Sequence, residues 1–147
     1  MFVIDDALLL AVLGASRQSA TQQFVAASAR GDVFTTGSWY WRLARALSNP
    51  GQGALSRAFA DLDDDRRPRV ILGLASLPPE IGMLSLRQLV PVMAALPVQA
   101  NLLTLEAVAA AVVLEASLAV TVESPVLSRV AAAAGVVVDV VRFDPAP

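Results

Sequence analysis

The sequence predicts an α/β domain built on a mainly parallel sheet, and three observations carry that reading. The last third alternates helix, strand, helix and strand in short succession, the order that packs helices onto the faces of parallel strands. Its strand segments, 118–122 and 136–141, are near-continuous apolar runs, as expected of strands buried on both faces. The chain also opens on Phe2-Val3-Ile4, a short apolar run stopped by Asp5-Asp6 where a strand end meets a helix start. With 147 residues, no linker and no internal repeat, residues 1–147 read as one domain large enough to bury its own core.

Taken in order, the first strand is expected in the sheet interior, parallel to the two late ones. Asp5 or Asp6 caps a helix over residues 7–13, which Gly14 closes. Ser19 and Gln22 have capping-box spacing and open a second helix ending near Gly31. Val33-Phe34-Thr35 is extended. Ser38 caps a third helix over 39–47, terminated by Asn49-Pro50-Gly51, and a fourth spans 54–62. Asp63-Asp64-Asp65-Arg66-Arg67-Pro68 is the most polar stretch and reads as a solvated surface loop. Residues 69–74 read as a strand or an extended lead-in, and Pro78-Pro79 as a break. Ser85 and Gln88 open another helix, which Pro91 kinks or shortens. Residues 102–116 form a helix rich in Ala and Leu. Ser124 caps a further helix with Pro125 at its first position, and Gly135 ends it.

Composition removes several chemistries. The chain has no Cys and no His, which excludes thiolate nucleophiles, disulfides, Cys or His metal sites and a Ser-His-Asp triad. All 11 basic residues are Arg, so lysine Schiff-base chemistry is excluded too. Carboxylate chemistry remains, and carboxylates suit hard cations such as Mg²⁺ and Mn²⁺. The net charge of −2 gives no global attraction to nucleic acid or anionic lipid. Apolar residues reach 56%, and residues 102–122 are long enough to span a bilayer. Glu106 and Glu115 lie inside that stretch, however, and nine residues at about 100° each set them on opposite helix faces. A cytoplasmic chain without a membrane segment is expected.

The acids fall in a pattern. Ligands of open parallel sheets bind beyond the carboxyl ends of the strands. Asp5 and Asp6 stand at that end of the first strand, and Glu123 at that end of the 118–122 strand. Glu106 lies near the start of its helix, where the helix meets a rim. Each also has a purely structural role open to it: Asp5 or Asp6 as an N-cap, Glu106 as a partner of the helix dipole, Glu123 as a turn residue. The aromatic run Trp39-Tyr40-Trp41-Arg42 has two readings as well. Aromatics beside Arg42 and Arg45 can clamp single-stranded nucleic acid, or Trp39 and Leu43 can face the core with Tyr40 and the arginines outside.

Three segments together resemble PIN-domain proteins, the ribonuclease toxins of bacterial toxin–antitoxin pairs among them. Phe2-Val3-Ile4-Asp5-Asp6-Ala7-Leu8-Leu9 resembles the family's opening strand, metal-binding Asp and apolar helix. Glu106-Ala107-Val108-Ala109-Ala110-Ala111 resembles its later helix, and Val120-Thr121-Val122-Glu123-Ser124-Pro125-Val126-Leu127 its strand-to-helix segment carrying a further Asp. The Ala-rich helix ending at Gly135, followed by Val136-Val137-Val138, is similar as well. The middle of the chain is unmatched.

The resemblance implies a three-layer α/β/α, PIN-like domain whose acids hold Mg²⁺ or Mn²⁺ and hydrolyse RNA, the metals activating water and stabilising charge on the phosphate. Asp5, Glu106 and Glu123 are the catalytic ligands it implies, with Asp6 beside them as a further metal-site residue. The partners expected are RNA, a cognate antitoxin or another protein, and further copies of the chain. Two departures predict a weakened or inactive site. Glu replaces Asp at the second and third positions, and a misplacement of ~1 Å can cost ~100-fold in rate. The family's acid in the helix near 39–45 is missing here. A non-catalytic protein-interaction module on the same fold is the alternative.

Overall fold

The computed structural model describes residues 1–49 and 51–143. Five strands form one all-parallel sheet: β1 (Phe2–Ile4), β2 (Val33–Thr35), β3 (Ile81–Met83), β4 (Ser117–Val120) and β5 (Val138–Val140). Their order is β3-β2-β1-β4-β5, so β1 is central. Val3 pairs with Phe34 on one side and Leu118 on the other, and Ile4 pairs with Ala119. Around the sheet run α1 (Asp6–Leu13), α2 (Ser19–Ser28), α3 (Gly37–Ser48), α4 (Ala54–Ala60), α5 (Arg66–Ala75), α6 (Leu86–Ala95), α7 (Leu102–Leu114) and α8 (Pro125–Ala133).

Alternation along the short strands sends side chains to two cores. Val3, Leu118 and Val120 point into one, shared with α7, α8 and Leu89 of α6. Ile4, Val33 and Ala119 point into the other, with α1, Phe24 of α2 and Val70 of α5. The three layers are therefore α/β/α. Helix α7 is apolar on every side because it lies among α6, α8, α3 and strands β1 and β4. Helix α3 spans both cores, with Trp39 in one and Leu43 in the other.

The structure departs from the sequence reading at several elements. Residues 69–74 are not extended but belong to α5, which begins inside the polar run at Arg66. Asp63 Oδ1 accepts from Arg66 N at 2.9 Å, which starts the turn. Pro68 sits in the first turn, where a missing N–H costs nothing. Val70 and Gly73, three residues apart, then bury together as a helix places them. β3 was not foreseen. Its centre is Gly82, where the Phe34 ring fills the space a Cβ would take. Thr36 caps α3 in place of Ser38, accepting from Trp39 N at 3.2 Å. α2 begins behind Gln18, so Ser19 lies within the helix. Pro91 stays inside α6, which continues past it to Ala95 behind the expected Ser85–Gln88 capping box. Pro50 of the expected α3 terminator lies outside the described residues. Among the described residues no helix is long and apolar enough to cross a membrane.

Candidate functional site

The strand order reverses direction between β1 and β4, and the crevice beyond their carboxyl ends is the natural ligand position of such a sheet. Asp5 stands there, directly after β1. Because Ile4 pairs with Ala119, Asp5 comes to lie beside the end of β4, within reach of Thr121. Asp5 Oδ1 accepts from Leu8 N at 2.9 Å, capping α1. Its Oδ2 accepts from Thr121 N at 2.6 Å and from Thr121 Oγ1 at 2.8 Å. One carboxylate thus ties the start of α1 to the end of β4.

Asp6 is the first residue of α1 and is also buried. Arg42 of α3 brings its Nε to 3.2 Å from Asp6 Oδ2. The approach is an ion pair without hydrogen-bond alignment, and Oδ2 has no hydrogen-bond partner. Burial pushes both carboxyls above the ordinary aspartate range. For Asp5, burial outweighs the donors from Leu8, Thr121 and Ala7. For Asp6, burial is aided by the neighbouring Asp5 charge and opposed by Arg42.

Glu106 is only 2% exposed, in the second turn of α7. It turns to the N-terminus of α3, accepting from Gly37 N at 2.9 Å and Ser38 N at 3.1 Å. Those N–H groups have no partner within their own helix, and the positive end of the α3 dipole favours the charge. Thr35, just before this turn, donates its hydroxyl to Ile4 O, which locks the end of β2 to the end of β1. Glu123 lies exposed in the β4–α8 connection. Glu115, left-handed at the end of α7, is exposed as well. Among the described residues no three acids are grouped so as to hold a metal ion. The rim therefore brings together Asp5 with Thr121 and Asp6 with Arg42, places Glu106 on a helix end, and leaves Glu123 in solvent. This donor set does not fit the acid-ligated Mg²⁺ or Mn²⁺ site that the resemblance implies.

Two residues were missed in the sequence. Thr121 was read as interior strand, whereas β4 stops one residue earlier and frees its hydroxyl for Asp5. In the sequence Arg42 reads as a nucleic-acid clamp or as an exposed arginine, and only the packing of α3 against α1 shows it to be the partner of Asp6.

Beside the rim lies a groove of about 670 Å³ between the N-termini of α3, α6 and α7. Trp41, Leu84, Leu86 and Leu102 line it together with Arg42 and the buried Glu106. Trp39 and Leu43 face the cores and Tyr40 donates its hydroxyl to Leu74 O, so the helix phase puts Trp41 outside, 57% exposed. Arg45 stacks on that ring at 5.3 Å from its centroid. Compared with known protein families, curated proteins and solved structures, the chain finds no match in any of the three.

Proposed function

We propose that this chain is a PIN-like domain whose acidic rim has passed from metal-dependent RNA cleavage to a structural role, leaving a non-catalytic module that binds a protein partner. One observation carries the reading. Each buried rim acid is already committed inside the protein: Asp5 to Leu8 and Thr121, Asp6 to Arg42, Glu106 to the α3 N-terminus. Those partners orient the carboxylates without a cation, and taking any of them away leaves a buried group unpaired, at about 1–3 kcal/mol each. The exposed Trp41 in the lining of an apolar groove supports an interface, since tryptophan is enriched where partners dock.

The second reading, a weakened Mg²⁺- or Mn²⁺-dependent ribonuclease, is favoured by the burial of Asp5 and Asp6 side by side at the point where ligands of parallel sheets bind. RNA cleavage assays with and without Mg²⁺ or Mn²⁺, on wild type and Asp5→Asn, separate the two. The module reading expects no cleavage by wild type beyond that of the variant. Metal-dependent cleavage that disappears in Asp5→Asn overturns it in favour of the ribonuclease.

A further inference from the structure

We propose that Arg42 is the resident counter-ion of the rim, holding the place beside Asp6 that a divalent cation would need. The inference rests on the reading of the rim as neutralised from within, and names the residue that does it. Three features of the structure point to Arg42. The Arg42–Asp6 pair joins α3 to α1, whereas the other ion pairs among the described residues, Arg30–Asp32, Arg66–Asp63 and Arg67–Asp64, join close sequence neighbours at the surface. Asp6 Oδ2 is buried and has no hydrogen bond, so the guanidinium is its compensation. The α3 helix is fixed in rotation by Trp39 and Leu43 in the two cores and by Glu106 on its first N–H groups, which holds Arg42 beside Asp6.

A guanidinium held this way excludes a cation by charge and by volume. Removing its charge leaves two adjacent buried carboxylates with no counter-ion. The rim then gains what it lacks in wild type, a reason to take up a metal.

Thermal melts with and without millimolar Mn²⁺ test this on four proteins: wild type, Arg42→Gln, Arg42→Lys, and Arg42→Gln combined with Asp6→Asn. Arg42→Gln is expected to melt lower in metal-free buffer and to regain roughly 3 °C or more with Mn²⁺. Arg42→Lys keeps the charge and should respond like wild type, which shows no such gain. The double variant should lose the response. An Mn²⁺ gain in Arg42→Gln no larger than in wild type overturns the proposal, as does a gain that survives in the double variant. If Arg42→Gln does not fold without metal, refolding in Mn²⁺ is the readout, and recovery of the folded state supports the counter-ion role. Failure to recover, with the double variant folding normally, overturns it. None of these melts bears on wild-type RNA cleavage, so the module reading stands or falls separately.

Discussion

Asp5 accepts three hydrogen bonds and still titrates above the ordinary aspartate range, because the carboxylate loses more hydration on burial than those donors return. A raised pKa means that the folded state holds the proton more tightly than the unfolded chain does. The stability from this group is full below the ordinary aspartate range and is lost as pH rises through the raised pKa. Relative to wild type, Asp5→Asn should therefore gain stability as pH rises from about 3 to about 7. Urea unfolding across that range checks it, and a difference that does not change with pH contradicts it. Glu106 matters through the two N–H groups that it satisfies. Glu106→Ala leaves the N–H groups of Gly37 and Ser38 unpaired and opens a cavity, at a cost of about 2–4 kcal/mol. Glu106→Gln keeps one acceptor oxygen and should cost about half as much, measured by the same unfolding experiment.

At the scale of the element, α3 holds two tryptophans with opposite fates. Trp39 is 2% exposed in the core, so Trp39→Ala should cost about 3–5 kcal/mol. Trp41 is 57% exposed and carries Arg45 on its ring, so Trp41→Ala should cost no more than about 1 kcal/mol. Equal destabilisation by the two, in denaturant melts, would remove Trp41 from the candidate interface. The inward placing of Trp39 and Leu43 was legible from their spacing, as were strands β1, β4 and β5 and the caps at Ser85 and Ser124. But β5 is an edge strand with Asp139 and Val140 exposed, where its run of valines argues for burial on both faces. What stayed hidden had local signals that argued against the element formed. β3 carries a glycine at its centre and two prolines ahead of it, both poor strand residues, and it forms because Gly82 lets Phe34 lie across it. Gly82→Ala should accordingly cost about 1–3 kcal/mol by overpacking against that ring, whereas Gly53→Ala meets no atom within 4 Å and should change stability little. Helix α5 starts within a charge run that reads as loop, and only the burial of Val70 against α1 and its neighbours settles it as helix.

For the molecule as a whole, chain order dictated the rim. Asp5 and Thr121 lie far apart in sequence, and a parallel sheet with β1 beside β4 brings them together. That placement of Asp5 was readable because strand ends and helix starts carry strong local signals. The partners of the acids were not, because Arg42 and the N-terminus of α3 reach them only through tertiary packing of a helix whose sequence speaks of aromatics. A sheet that gathers buried acids beyond the carboxyl ends of its central strands and then engages them from within is the central feature of this protein. A crystal structure after soaking in Mn²⁺, with anomalous scattering to place the ion, tests it most directly. A rim neutralised from within predicts no Mn²⁺ beside Asp5 and Asp6, with Arg42 still paired to Asp6 and Glu106 still on the α3 N-terminus. An ion held by Asp5 together with Glu106 or Glu123, with Arg42 displaced, would contradict it.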